Sequence, residues 1–355
     1  MTSMTTLERS VTGGVDTHGD THHAAMIDLV GRRLGDQEFP ATPAGYQALW
    51  TWMESHGTVS KVGVEGTGCY GAALSKVLRS LVQVVEVDRP NRQTRRREGK
   101  SDPVDAYAAA KAALNDEATG TPKTRDGAVE MIRMLRISRT SAVKARTQAM
   151  NQLKGLLVTA PADLREQLRD LSPTVLITTC ARLRPTKATD VEQTTKTVLR
   201  RLAVRHQALG QEIKQADADI RAAIETVNPK LLTTAGVGPE VAGQLLVTVG
   251  DNPDRIGSEG AFAALTGVSP LQASSGKTSR HRLNRGGDRQ ANRMLYTVAL
   301  NRMRYDERTR AYVTKRTAEG KSKKEIIRCL KRYIARELYT TLTATTQPNS
   351  PQERS

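Results

Sequence analysis

The order of hydrophobic patterns over the first 115 residues constrains this chain more than any other feature. Three short β-type segments follow one another, VTGGVDTH, HHAAMIDLVG and RRLGDQEFP, with Gly19-Asp20 and Gly31-Arg32-Arg33 as the turns between them. From Thr42 to Ser55 the period becomes helical, with Tyr46, Leu49, Trp50 and Met53 on one face. Next come the strand KVGVEG, a helix over Tyr70 to Leu81, the β-branched strand VQVVEVD and an Ala-rich helix from Pro103 to Asn115. The order β-β-β-α-β-α-β-α predicts a mixed sheet with helices packed on it.

Four acidic residues fall where this order brings chain ends together. Asp16 ends the first strand, Glu65 ends the fourth, and Asp102 and Asp105 open the last helix in GKSDPVDAYAAAKAAL. This layout matches the ribonuclease H-like fold, in which the ends of the first and fourth strands lie side by side. Each residue also has a plain structural role open to it. Asp102 suits an N-cap, with Pro103 at N1 and Asp105 at N3, where a negative charge favours the helix dipole. Asp16 suits a turn before His18-Gly19-Asp20. Glu65 could accept hydrogen bonds from its Gly-rich turn, since a carboxylate in so apolar a strand needs a partner. Together the four predict a cage for Mg²⁺, with Mn²⁺ as the alternative ion, because hard cations take oxygen ligands. Crowded carboxylates raise one another's pKa unless cations relieve them. One or two such ions activate a nucleophile and stabilise a leaving oxygen.

The chain carries a formal net charge of +17, which points to a polyanionic partner. Aromatic residues make up only 3% of it, so base stacking on an aromatic sheet is excluded as the main mode of binding. The run RPNRQTRRREGKSD leads into Asp102, and its Arg92, Arg95, Arg96, Arg97 and Lys100 are candidate phosphate contacts; a solvated loop is the plain reading of such a run. Cys69, Cys180 and Cys329 form no CxxC, so neither a disulfide framework nor a zinc ribbon is expected. No apolar run reaches the length of a membrane span or a signal region, and a soluble, cytoplasmic protein with no membrane partner is expected.

Beyond the sheet domain, expected over 12–127 after a tail at 1–11, two helical stretches from about Glu130 to Leu157 and Thr194 to Val227 flank a connection broken by Pro161, Pro173 and Pro185. They predict a coiled-coil-like helical arm over 128–228. A mainly α domain over 229–343 opens with KLLTTAGVGPEVAGQLLVTVG, which reads as a helix-hairpin-helix or as a plain helical corner. It continues through the polar loop ASSGKTSRHRLNRGG, a helix from about Asp288 to Met303 and a basic amphipathic helix from Lys323 to Leu342. Residues 344–355 read as a disordered tail. In the polar loop a Gly-flanked serine can act as a nucleophile if its phosphate target is held, and Lys277, Arg280, Arg282 and Arg285 are the candidates to hold it. An ordinary loop has the same composition.

The blocks GVDTH, GVEGTGCYG and EGKSDPVDAYAAA, followed by TAGVGPEVAGQLLVTVGD, FAALTGVSPLQASSGK and RGGDRQANRMLYTVAL, together resemble the IS110 family of transposases over nearly the whole chain. The resemblance implies a RuvC-like DEDD domain carrying Asp16, Glu65, Asp102 and Asp105, and a C-terminal domain whose serine before a glycine is the DNA nucleophile. That serine is Ser275 by position, with Ser274 beside it as the fallback. It further implies a 5′-phosphoserine intermediate with Mg²⁺ help, double-stranded donor and target DNA, a structured noncoding bridge RNA as guide, and a homotetramer built as a dimer of dimers. The alternatives are a ribonuclease H-like metal-dependent nuclease or junction resolvase that attacks with water, and a non-catalytic nucleic-acid-binding protein.

Overall fold

The computed structural model describes residues 10–87, 101–187, 190–274, 276, 281–282 and 284–343. Arg92, Arg95, Arg96, Arg97, Lys100, Ser275, Lys277 and Arg280 lie outside the described residues.

The expected alternation is realised as β1 (Ser10–Thr17), β2 (Thr21–Asp28), β3 (Arg33–Pro40), α1 (Pro43–Glu54), β4 (Thr58–Glu65), α2 (Ala72–Leu78), β5 (Gln83–Val87) and α3 (Asp102–Leu114). The strands form one sheet in the order β3-β2-β1-β4-β5. The β1–β2 and β2–β3 pairs are antiparallel, while β1–β4 and β4–β5 are parallel. Side chains alternate between the two faces of a strand. Val11 and Val15 of β1, with Val62 and Val64 of β4, pack with Leu49 and Met53 of α1 and Leu74 and Leu78 of α2. The opposite face is laid with Gly14 and Gly63, and α3 sits there. Its Ala106, Tyr107 and Ala110 meet Ala25 and Ile27, while Ala109 and Ala113 meet Val85 and Val87.

Helix α3 starts one residue earlier than its sequence suggests. Ser101, not Asp102, takes the extended N-cap backbone (φ −152°, ψ 154°), and its carbonyl accepts from Asp105 N at 3.1 Å. The Ser101 side chain makes no capping hydrogen bond, so the backbone alone sets this start. The shift leaves the Asp102 carboxylate on the first helical residue instead of folded back onto the backbone.

The chain divides into two units. The first comprises Met1–Asp126 and a short return segment, Val249–Arg255. The return segment is tied in by polar bonds. Asn252 Oδ1 accepts from Thr124 N (3.2 Å), and its Nδ2 donates to Pro122 O (3.0 Å). Arg255 donates to Thr121 O (2.8 Å) and to Glu86 Oε2 (3.2 Å), and Glu86 also accepts from the Thr67 hydroxyl.

The second unit comprises Gly127–Thr248 and the residues from Ile256 onward. Here α4 (Ala128–Val158) and α7 (Val191–Val227) run antiparallel, joined through α5 (Ala162–Leu168) and α6 (Pro173–Ala181). At 37 residues α7 is about 55 Å long. The Pro-broken connection closes a small core at the arm's far end, where Leu164, Leu168, Leu176, Ile177 and Cys180 pack on Leu153 and Leu199. At the near end Arg139 pairs with Asp217 (2.5 Å), and Arg136 pairs with Glu240 (2.6 Å).

The unit continues with α8 (Lys230–Thr233), α9 (Pro239–Val249), α10 (Glu259–Leu265), a hairpin of β6 (Leu271–Gln272) and β7 (His281–Arg282), α11 (Arg289–Tyr305), α12 (Glu307–Ala318) and α13 (Lys323–Thr343). Of the two helices expected around Gly236-Val237-Gly238, the first is a single turn. Thr234 is already extended, and Gly236 turns the chain at φ +77°. No helix among the described residues is long and apolar enough to cross a membrane.

Candidate active site

Strand period places two of the carboxylates. Asp16 follows Gly14 by two residues on β1, and Glu65 follows Gly63 by two on β4, so both share the α3 face of the sheet. Gly14 and Gly63 are register partners, as are Val15 and Val64, so Asp16 and Glu65 come next to each other at the ends of two parallel strands. Thr17 Oγ1 donates to Glu65 O at 2.8 Å and ties the two ends together.

The same glycines bring in the other two. A β-carbon at Gly14 would overlap the Ala106 carbonyl and the backbone of Ala110; one at Gly63 would overlap the Ala109 carbonyl. Helix α3 therefore rests directly on the sheet backbone, which only glycine below and alanine above permit. Its first turn lands at Asp16. Asp105 is 2% exposed and Asp16 is 7% exposed.

This proximity has an electrostatic cost. Burial, above all, pushes the Asp16 carboxyl upward, and the neighbouring Asp105 and Asp102 charges push it further, against a lowering by His18. His18 Nε2 lies 3.3 Å from Asp16 Oδ2 and 3.3 Å from Asp102 Oδ1. Asp16, His18 and Asp102 each offer a ligand atom within 4.8 Å of one another. A buried carboxylate crowded by two others, beside an imidazole nitrogen, is a donor set that suits a divalent cation. Sequence reasoning missed His18. The signal was present in Asp16-Thr17-His18, where two potential ligands stand two residues apart at a strand end.

The serine candidate belongs to the second unit. Ser274 is exposed in the loop between β6 and β7, and Gly276 adopts φ +54°. Arg282 and Arg285 are both exposed. The base of this hairpin is held by two interlocked segments. Asn292 Nδ2 donates to Thr266 O (2.8 Å) and Gly267 O (3.1 Å). Asp288 N donates to Leu265 O (2.6 Å). The Asp288 carboxylate caps α11 at Gln290 N (2.8 Å) and Ala291 N (3.1 Å), and also accepts from the Thr248 hydroxyl (2.6 Å). The segments TGVSP and RGGDRQAN thus fix each other beneath the loop.

Comparison with known proteins decides the family. A DEDD-type IS110 transposase model matches residues 13–160, and a model of the IS116/IS110/IS902 transposase family matches residues 228–314. The two matches together span about two thirds of the chain. The chain belongs to the IS110 family of transposases. The first IS110 match contains all four carboxylates, and the second contains Ser274 and Ser275. An insertion element IS110 uncharacterized 43.6 kDa protein of Streptomyces coelicolor is 32% identical over 139 residues, 38% of this chain and 34% of the relative. The match thus covers about a third of that relative's length.

Proposed function

We propose that this protein is a DNA transposase, a site-specific recombinase that cuts and rejoins DNA through Ser275. The observation that carries the reading is the convergence of Asp16, Asp102 and Asp105, with His18, at the end of a sheet ordered β3-β2-β1-β4-β5. That strand order, with β1 between an antiparallel and a parallel neighbour, supports a ribonuclease H-like, RuvC-like first domain. Asp16, Glu65, Asp102 and Asp105 would hold Mg²⁺ or Mn²⁺, with His18 able to join them. Such an ion, when bound, supplies positive charge at the phosphate and eases ionisation of a hydroxyl.

In this reading Ser275 Oγ attacks the scissile phosphorus and loses its proton. The 3′-oxygen leaves and takes up a proton, and the 5′-phosphate remains on the serine. Attack by another 3′-hydroxyl on that phosphoserine reverses the step, so the bond energy is kept and no ATP is consumed. Arg282 and Arg285, with Lys277 and Arg280, would hold the phosphate. The basic loop with Arg92, Arg95, Arg96, Arg97 and Lys100 would track the DNA backbone beside the carboxylates. The +17 charge and sparse aromatics favour recognition of phosphate and shape, which suits a structured bridge RNA as guide. The antiparallel arm of α4 and α7 would join subunits, as a tetramer requires. The cytoplasm is the setting this chemistry implies.

The test is a denaturing gel of labelled DNA incubated with the protein and Mg²⁺. Ser275→Ala is expected to abolish the covalent protein–DNA adduct and strand transfer, while Ser274→Ala keeps both. Cutting that persists in Ser275→Ala would establish water as the nucleophile and a plain nuclease. Sequencing RNA that copurifies with the protein checks the guide: one discrete RNA supports it, and a heterogeneous mixture refutes it.

A further inference from the structure

The second unit contains a cavity of about 800 Å³ that extends from Arg282 of the serine hairpin to residues the serine chemistry does not use. Its walls are the hairpin strand β7, with His281 and Arg282, the turn at Gly267, and α13, with Arg328, Lys331 and Tyr333. Lys331 is the decisive residue. It is 7% exposed, and among the described residues its ammonium makes one hydrogen bond, to the neutral Asn292 Oδ1 at 2.8 Å. An ammonium has three donors, and burying its charge without a counterion is unfavourable. Burial, and then the nearby Arg328, lower its pKa.

Two carboxylates stand near the cavity, and Glu325, in its wall, lies within electrostatic reach of Arg328 but not in an ion pair with it. Glu259 pairs with Arg332 and lies 3.9 Å from Arg336 Nε, while Glu325 accepts from Ser322 N (2.9 Å) and Oγ (2.7 Å). Among the described residues no carboxylate forms an ion pair with Lys331 or Arg328. A cavity lined by a buried ammonium that has no carboxylate ion pair among the described residues is suited to an anion. Its volume exceeds what a lone phosphate needs and suits a ligand with attached sugar and base. Tyr333, 54% exposed, offers an apolar ring at the wall.

We propose that this cavity binds a phosphodiester of DNA, with its phosphate on Lys331 and Arg328 and its nucleoside against Tyr333. Two features favour DNA over a free metabolite. The wall strand β7 pairs with β6, which runs toward Ser274, so a bound strand lies along the hairpin that carries the serine. The Lys331 contact also reaches that hairpin's base, because Asn292 holds Lys331 with Oδ1 and the Thr266 and Gly267 carbonyls with Nδ2. Occupancy of the cavity is therefore coupled to the base of that hairpin. The identity of the ligand as substrate DNA rests on the proposed transposase reading.

The experiment is a titration of the full chain with the dinucleotide dTpdT, followed by ³¹P NMR at low salt. Binding is expected, and an uncharged methylphosphonate analogue should fail to bind. Lys331→Met keeps the buried stem and should weaken binding roughly tenfold or more, as loss of a charged hydrogen bond does. Arg328→Gln, at an exposed position, should weaken it several-fold without threatening the fold. Unchanged affinity in both variants overturns the site. Equal binding of inorganic phosphate, or tighter binding of UpU than of dTpdT, overturns the assignment to DNA. Ser275→Ala should bind dTpdT like the parent. If Ser275→Ala retains strand transfer while Lys331→Met loses dTpdT, the serine reading fails and the site stands. If Ser275→Ala loses the adduct while Lys331→Met binds normally, only the site fails.

Discussion

The first unit gathers negative charge and the second gathers positive charge, and the two are built by different means. The carboxylates of Asp16, Asp102 and Asp105 repel one another, so nothing in their own interactions holds them together. Backbone does it, through Gly14 and Gly63 lying under the alanines of α3. The cations around the second-unit cavity sit on long stems and are placed by side chains, Lys331 through Asn292 and Arg332 through Glu259. A like-charge site that must be rigid needs a steric frame. A phosphate cleft can rely on adjustable partners, because its ligand supplies the missing charge.

Substitutions in the two units should break this contrast in different ways. The largest effect is expected at the carboxylates themselves. Asp16→Asn or Asp105→Asn should lower the strand-transfer rate by roughly 10³-fold or more, as loss of a reacting-centre group does. Single-turnover kinetics measures this, and a variant within tenfold of the parent would remove its residue from the centre. Gly14→Ala tests the frame. Overpacking at a site with no room typically costs about 1–3 kcal/mol, and α3 should lift from the sheet. Thermal melting should register that loss, and Mn²⁺ titration should show weakened binding although every ligand remains. Retained Mn²⁺ affinity would show that the steric frame is dispensable.

In the second unit Asp288→Ala removes the cap of α11 and the acceptor for Thr248. A loss of about 1–2 kcal/mol is expected in urea unfolding, the range of a lost helix cap, and the contrast sharpens if Mn²⁺ binding is untouched. The smallest effect concerns His22, which is fully buried, stacked on Tyr46 at 5.5 Å, with Nδ1 3.0 Å from Thr21 O. Burial lowers its pKa. The unfolded chain, with a histidine pKa of about 6.5, then takes up the proton first. Stability present above that pH should fall as acid is added, toward the lower folded-state pKa. His22→Phe, which can keep the stack, should flatten this part of the curve. Parallel melting curves for the two proteins between pH 7 and 5 would show no such contribution.

Much of the first unit was legible in the chain. Strand alternation, turn residues and strand-end acids report on local structure, and local structure fixed which face Asp16 and Glu65 share. Ser101 rather than Asp102 takes the N-cap backbone, without a side-chain capping bond, and sequence cannot arbitrate between two adjacent cap-forming residues. His18 went unread because a histidine beside a Gly-Asp turn looks like part of the turn. The basic cavity was hidden for a different reason. On its own α13 is an amphipathic helix with solvated charges, and Lys331 becomes a buried cation only when Asn292 and the Gly267 turn close over it. Partners of that kind lie far apart in the chain and leave no periodic trace.

The return segment Val249–Arg255 carries a consequence for biosynthesis. The sheet and α3 are encoded within the first 126 residues, yet Glu86, Pro122 and Thr124 form bonds with Asn252 and Arg255, more than 120 residues on. During translation at 5–20 residues per second, that delay is on the order of ten seconds. A nascent chain therefore carries its sheet and α3 before these bonds can form, and they arrive only once the arm helices α4 and α7 have been made. Prematurely terminated fragments that end before residue 249 lack the segment that completes the first unit.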